Sequence, residues 1–272
     1  MRWINARPSR QAQLLLALTP FALLVLAYAT GSAIRLAGNP QDKLLPGLTG
    51  LADAINRMAF IPDQRTGDLL LWSDTAASLE RLGTALVIST LIALLFGMLI
   101  GMLPYLRSLL APFFAAVSMV PPLALLPILF IALGLGETSK ITLIVIGVAP
   151  IMVRDLALKV MELPPEQIVK AETLGGSSWQ IALRVVLPQI LPRLITCLRL
   201  QLGPAWLFLI AAEAISSESG LGYRIFLVRR YLSMDVIFPY VVWITLLAVL
   251  TNVVLDWLRI RLFPWSELGK AT

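Results

Sequence analysis

The sequence predicts an all-α polytopic membrane protein with about six transmembrane helices, on three observations. Of its 272 residues 58% are hydrophobic and 14% are charged, against about 45–50% and about 25% in an average soluble domain. The apolar residues gather into blocks, several of them near or above the ~18–20 residues a helix needs to cross a ~30 Å hydrocarbon core. The polar residues collect between those blocks. A soluble globule would have to leave much of this apolar surface in water, so a soluble enzyme is excluded.

What the chain lacks narrows its chemistry. It has no His, which removes imidazole metal ligation and His-based acid–base catalysis. Its one cysteine, Cys197, stands in an apolar stretch and reads as a small core residue. No metal site and no catalytic residue is assigned. No phosphate-cradling loop occurs either: Gly269-Lys270 comes nearest, three residues from the end, with no helix to follow. The energy for any active process must come from another chain or from a gradient. The net charge of +6 does not point to nucleic acid, because the basic residues lie between the apolar blocks, as charge that sets membrane orientation does.

The first block runs over residues 12–34, behind Arg2, Arg7 and Arg10. Ala27-Tyr28-Ala29 imitates the cleavage site of a secretory signal, but the run exceeds the usual 7–15 apolar residues, which favours an uncleaved spanning helix. Residues 35–81 turn polar. Residues 52–61 have the spacing of a short amphipathic helix, yet the stretch reads better as a solvated connector. The second block covers 82–103, closed by Pro104 and Arg107. Its Gly97-x-x-x-Gly101 permits close helix contact, within one subunit or between two. The third block, 109–133, carries Pro121, Pro122 and Pro127. These remove backbone donors and should break the helix near its middle, which a membrane tolerates where protein or a cavity satisfies the carbonyls. The three prolines are candidates for shaping a path.

The fourth block, 141–153, must extend from about 138 to 158 to span. Residues 154–193 are polar, yet helical in period and clearly punctuated. Pro165 suits a first helical position and Glu166 the positive end of the dipole. Ile168, Ala171 and Leu174 fall three apart as an apolar stripe, and Gly175-Gly176 ends the helix. Ser177 with Gln180 has capping-box spacing and starts a second helix over 178–187, expected to stop at Leu187-Pro188. A short capped helix with an apolar stripe outside the bilayer reads as a docking element. The fifth block, 194–215, contains Gly203-Pro204 and Glu213, a buried acid either paired in the chain (with Arg224, or capping backbone) or facing a ligand path. The sixth covers 236–255, and 216–235 before it has an apolar, re-entrant middle. Six spans put both termini on one side. Thirteen Lys and Arg then fall on that side and nine on the other, a bias that places the termini in the cytoplasm.

The text from Lys170, K-A-E-T-L-G-G-S-S-W-Q-I-A-L-R-V-V-L-P, resembles the EAA loop of permease subunits of binding-protein-dependent ABC importers. In that loop a helix ending in Gly is followed about a dozen residues later by Leu-Pro. V-P-P-L-A-L-L-P from Val120, G-L-G-E-T-S-K-I from Gly134 and L-R-L-Q-L-G-P-A-W from Leu198 look like the nitrate/sulfonate/taurine branch. So do A-A-E from Ala211, G-L-G from Gly220 and Leu262-Phe263-Pro264-Trp265. The resemblance covers residues 75–265.

It implies the type I ABC importer transmembrane fold over 75–260, with a cytoplasmic coupling loop at 159–190. The remainder is a tail at 1–11, a first transmembrane helix at 12–34, a periplasmic connector at 35–74 and a tail at 261–272. It implies a multi-pass subunit of the bacterial inner membrane, touching lipid. A second permease (a homodimer), two cytoplasmic ATPase subunits and a periplasmic binding protein complete the assembly. No cofactor belongs to this chain, ATP-Mg being held on the ATPase subunits, and the solute is a small anion such as a sulfonate, nitrate or taurine. The coupling helix would dock through Ile168, Ala171, Leu174 and Gly175, with Lys170, Glu172 and Gln180 pairing at its rim and Leu187-Pro188 relaying its motion. Pro121, Pro122, Pro127 and Glu213 would shape or gate the path.

Two departures stand out. The family's Glu position is Val169 and its first Ala is Lys170, so the acidic contact is lost or moved to Glu172. An aromatic pair before Gly134 is replaced by Ala132-Leu133. A self-contained secondary transporter or channel would need coupling acids in mid-membrane, and the spans carry almost none. A membrane enzyme would need the groups already found missing.

Overall fold

Backbone groups in hydrocarbon must bond within their own segment, which favours helices. The computed structural model describes residues 9–39, 42–64 and 66–268, and those residues form helices and short connections with no strand. They divide into two compact units, residues 1–70 with 228–241, and residues 71–227 with 242–272.

The first unit holds α1 (Arg10–Gly38) and α2 (Leu48–Ala59). Ser9 caps α1 by accepting from the Ala12 N–H. The apolar window of α1 buries none of its residues, as a helix meant for lipid does. Tyr28 and Ser32 on α1 donate to the Pro46 carbonyl at 2.7 and 3.2 Å, and the Tyr28 ring meets Phe238 edge-on at 5.3 Å. Beyond α1, the Leu44 N–H and the paired Arg35 guanidinium hold the Asp42 carboxyl below the usual carboxylate range. The amphipathic spacing in this connector does fold: α2 buries Ala54 and Ala59. The connector is therefore more than solvated loop.

The second unit contains α3 (Leu70–Met102, from residue 71 on), α4 (Pro104–Val117), α5 (Pro122–Leu133) and α6 (Glu137–Met161). It continues with α7 (Pro165–Thr173), α8 (Ser178–Ile181), a π-turn (Ala182–Val186), α9 (Leu187–Leu200), α10 (Leu202–Ser216) and α11 (Leu221–Arg229). The later part of α12 (Met234–Leu262) and α13 (Trp265–Leu268) close it. Among the described residues five helical runs are long and apolar enough to cross a membrane, and the bent pair α4–α5 makes up to six. Pro121 and Pro122 stand at that bend, which turns the chain by 94°. The prolines therefore break the third block where their missing N–H groups require it.

Glycines set the closest approach. A Cβ at Gly97 would meet Leu156 Cβ at 2.8 Å, and one at Gly101 would meet Val160 Cβ at 2.4 Å. The G-x-x-x-G pair thus packs α3 on α6 inside the subunit. With Arg81 paired to Glu137 at the other end, α3 and α6 run parallel. Antiparallel to α6 run α9 and α10. Arg193 lies 3.8 Å from Asp155, Phe208 fills the space beside Gly147, and Glu213 shares Arg81 with Glu137. Cys197 is buried in this packing.

Three elements differ from the sequence reading. Helix α3 begins at Leu70 rather than near 82, because Asp74, Ser78 and Arg81 fall on one face and find buried partners there. The fifth block is broken at Gln201, since Pro204 cannot donate to the Leu200 carbonyl four residues back. Leu187-Pro188 is not a stop. The chain from Ser178 to Leu200 is one helical run in which a π-turn carries the Leu187 N–H to the Ala182 carbonyl. That shift sets Pro188 in the opening turn of α9, where no N–H is needed.

Candidate functional site: a capped loop and a buried ionic cluster

The loop between α6 and α9 is built from its punctuation. Pro165 opens α7 and Glu166 lies in its first turn. At the other end Gly175 takes φ +81°. The Gly176 N–H reaches back to the Ala171 carbonyl at 3.0 Å, a left-handed C-terminal cap. Ser177 and Gln180 then form both halves of a capping box, at 3.3 and 2.9 Å. Two caps back to back fix the angle between α7 and α8.

This turn divides the apolar residues. Ile168 is half-buried and shares a pocket of about 390 Å³ with Gly101, Val160, Glu172 and Ile181. Ala171 is also half-buried. Leu174, by contrast, is 80% exposed, and Trp179 and Val169 are 71% and 55% exposed. The outward apolar surface is therefore Val169, Leu174 and Trp179 rather than the Ile168–Ala171–Leu174 stripe. Sequence reasoning misses Val169 and Trp179, although a Trp in an otherwise polar turn is signal enough. Lys170 and Glu172 are exposed at the rim, while the Gln180 side chain is held by the Ser177 N–H. Leu187 and Pro188 are half-buried in the helical run behind the π-turn. Gln189, one residue on, ties α9 to α7 by donating to Gln167 Oε1 at 2.9 Å.

Arg107 closes the end of α3 beside the loop, donating to the Ile100 and Gly101 carbonyls at 3.1 and 2.5 Å. Arg154 near the end of α6 donates to Ser118 at the α4–α5 bend, at 2.7 Å. The bend thus lies toward the loop end of α6. Pro121 is exposed as the N-cap residue of α5, Pro122 is half-buried at its first turn, and Pro127 is exposed within it.

At the opposite end the unit buries charge. Glu213 is fully buried, and its partner is Arg81 at 2.6 Å, not Arg224. Ser78 Oγ donates to it at 2.8 Å and the Gly222 N–H at 2.8 Å, so the capping of backbone beyond α10 is present. Arg81 also pairs with Glu137 and donates to the Ser219 carbonyl at 2.8 Å. Lys140 meets Glu137 at 3.0 Å. Arg224 pairs instead with Asp74 at 2.8 Å, and Asp74 accepts the Gly220 N–H at 3.0 Å. Gly220, at φ +128°, leaves no room for a Cβ, which would meet Glu213 Cδ at 2.6 Å. Three acids and three bases balance. Their work is to hold the 217–222 segment and α11 onto α3, α6 and α10. The overlooked signal in the sequence is Asp74, Ser78 and Arg81 at helical spacing i, i+4, i+7.

Residues 89–265 match the family described as binding-protein-dependent transport system inner membrane component. The chain is 38% identical over 199 residues to the taurine transport system permease protein TauC of Escherichia coli, covering 73% of this chain and 72% of that one. It is 30% identical to the bicarbonate transport system permease protein CmpB of Synechococcus elongatus, with 74% and 78% covered. To the nitrate import permease protein NrtB of Leptolyngbya laminosa it is 29% identical, with 75% and 73% covered. Its fold is shared with a chain of the inward-facing MetNI methionine ABC transporter, at a TM-score of 0.57 and 20% identity over 70% of this chain and 95% of that one. With two bounded ends, a capped loop at one of them and this family's match across most of its helices, the chain belongs to the inner-membrane permease components of binding-protein-dependent ABC importers.

Proposed function

We propose that two copies of this permease form a path across the inner membrane for a small anion, with both termini in the cytoplasm. A periplasmic binding protein delivers the solute, and each copy seats its coupling loop on one of two cytoplasmic ATPase subunits. ATP and Mg²⁺ belong to those subunits. Similarity to permeases named for taurine, bicarbonate and nitrate supports a small anionic or sulfonate solute. The observation that carries the docking role is a rigid, doubly capped turn that leaves Leu174 and Trp179 uncovered.

Physically, coupling needs a lever that moves as one piece. The caps fix α7 against α8, and the Gln189–Gln167 bond passes movement of α7 directly to α9. Closure of the ATPase dimer would draw the two loops together and bias the path outward. Exposed Lys170 and Glu172 sit where charges of the ATPase groove could meet them, and Glu172 stands for the acid missing at Val169.

The test is uptake in cells that carry the binding protein and ATPase, with taurine, nitrate and bicarbonate as labelled solutes. Gly175→Val and Ala171→Leu should abolish uptake while the subunit stays in the membrane. Normal uptake by either variant would remove the docking role. Uptake by the purified chain alone would favour a self-contained transporter.

A further inference from the structure

Helix α2 divides its surface into three sectors. Gly50, Leu51, Ala54 and Met58 are buried or half-buried against the unit it belongs to. Thr49, Asp53, Asn56 and Arg57 make an exposed polar side. Adjoining both, Leu48, Ala52 and Ile55 fall at i, i+4 and i+7, one face of a helix, and all are exposed. Leu48 and Ile55 are 66% and 44% exposed. An apolar edge kept beside a polar one suits a helix that meets protein on one side, water on another and hydrocarbon on the third.

The tethers of α2 put it at the edge of the hydrocarbon. The apolar run of α1 ends at Ile34, and Arg35, the next residue, pairs with Asp42. The chain then turns back along α1. Ser32 donates to the Leu45 and Pro46 carbonyls at 3.0 and 3.2 Å, and Tyr28 donates to the Pro46 carbonyl at 2.7 Å. A Cβ on Gly47, the N-cap of α2, would stand 3.2 Å from Leu36. Helix α2 therefore starts beside the last turns of α1 and not above them. Its other end is held at the start of α12, whose first residues belong to the same unit. There Arg57 pairs with Asp235 at 3.2 Å, in the first turn of α12, and the apolar run of that helix follows. At about 1.5 Å per residue α2 is about 18 Å long, enough to lie along the membrane surface between these two boundaries.

We propose that α2 is an interfacial helix, with Leu48, Ala52 and Ile55 sunk into the headgroup–acyl boundary of the bilayer and Thr49, Asp53 and Asn56 turned to water. Helices of this kind bury their apolar face about 5–10 Å into that boundary. The inference rests on the chain lying in a membrane, and on neither its orientation, its solute nor its ATPase.

Cysteine is placed singly at Leu48, Asp53, Ile55 or Asn56 in the full-length chain and labelled with a nitroxide. Cys197 is buried, and the unsubstituted chain gives its background. In vesicles of phosphatidylethanolamine and phosphatidylglycerol, electron paramagnetic resonance reads collisions with oxygen, which concentrates in hydrocarbon, and with a water-soluble nickel chelate. The oxygen-to-nickel ratio at Leu48→Cys and Ile55→Cys should exceed that at Asp53→Cys and Asn56→Cys about threefold or more. All four labelled chains should melt with the parent in detergent, because the substituted side chains are exposed. Nickel access as high at Leu48→Cys and Ile55→Cys as at the polar positions would overturn the inference and place this edge in water. Low access to both reagents there would also overturn it, because protein would then cover the edge. Spin–spin broadening between labels would identify that cover as a second copy of this chain.

Discussion

The two ends of the second unit solve opposite problems. At one end Asp74, Arg81, Lys140 and Glu213 are drawn into the protein and matched with one another or with Glu137 and Arg224, while at the other apolar side chains are pushed out of it. Glu213 has no exposure and four polar contacts, whereas Leu174 is four-fifths exposed and caps a turn that needs no apolar residue there. Buried charge is tolerated only when paired and hydrogen-bonded. Its presence at the Glu213 end therefore marks a place where segments must be held in one arrangement. Exposed apolar surface on a rigid turn marks a place completed by something else. One end is finished within the chain, and the other leaves Leu174 and Trp179 uncovered.

The sharpest way to break this contrast is to unpair the finished end. Arg81→Ala would strand the buried Glu213, and loss of one partner of a buried pair costs about 3–5 kcal/mol. The variant should unfold in detergent at a clearly lower temperature, with Arg81→Lys falling between it and the parent. An Arg81→Ala chain as stable as the parent would mean that the cluster is hydrated and not a clamp.

Next in size are the helix contacts joining the ends. Gly101→Leu forces atoms into Val160 and the Ala157 carbonyl, and overpacking of this kind costs about 1–3 kcal/mol. A Cβ at Gly83 on the same helix would meet nothing within 4 Å, and Gly83→Leu should leave thermal stability unchanged. Equal effects at the two glycines would refute the close α3–α6 approach.

Much of this contrast is legible in the sequence. Hydrophobic blocks, the proline break at 121–122 and both caps of the loop are local properties, set by residues a few positions apart. Most of what the sequence hides depends on partners distant along the chain. Residues 70–81 look too polar for a helix because the acids and bases that neutralise Asp74 and Arg81 lie more than fifty positions on. Glu213 looks ready for Arg224, but the nearer guanidinium in space is on α3. Pro188 looks like a stop because a π-turn, which absorbs the missing N–H, leaves no mark in the apolar period. For the α7–α8 loop the residues are legible and the facing is not: nothing in the spacing of Ile168, Ala171 and Leu174 says that Ile168 turns inward toward Gly101 and Val160 while Leu174 turns out.

A smaller effect tests the loop's rigidity. Ser177→Ala removes one half of the capping box, a loss of about 1 kcal/mol. It should loosen the α7–α8 turn and speed amide exchange at Gln180 more than at Leu143, deep in α6. Unchanged exchange at Gln180 would show that Gly175 and Gly176 alone hold the turn.

The smallest change in stability should accompany the largest change in assembly. Leu174→Ser and Trp179→Ser replace side chains that touch mostly solvent, and surface substitutions of that kind usually stay within about 0.5 kcal/mol. If the unfinished end is a docking surface, the pair should still melt with the parent in detergent. It should, however, fail to retain the ATPase subunit through purification. Truncating exposed apolar anchors removes contacts that exist only in the complex. A double variant that melts early would show that these side chains already belong to the subunit's own packing. One that melts normally and keeps its ATPase would place the docking energy on Lys170 and Glu172 instead, making the contact electrostatic, and its stability would then fall steeply with salt.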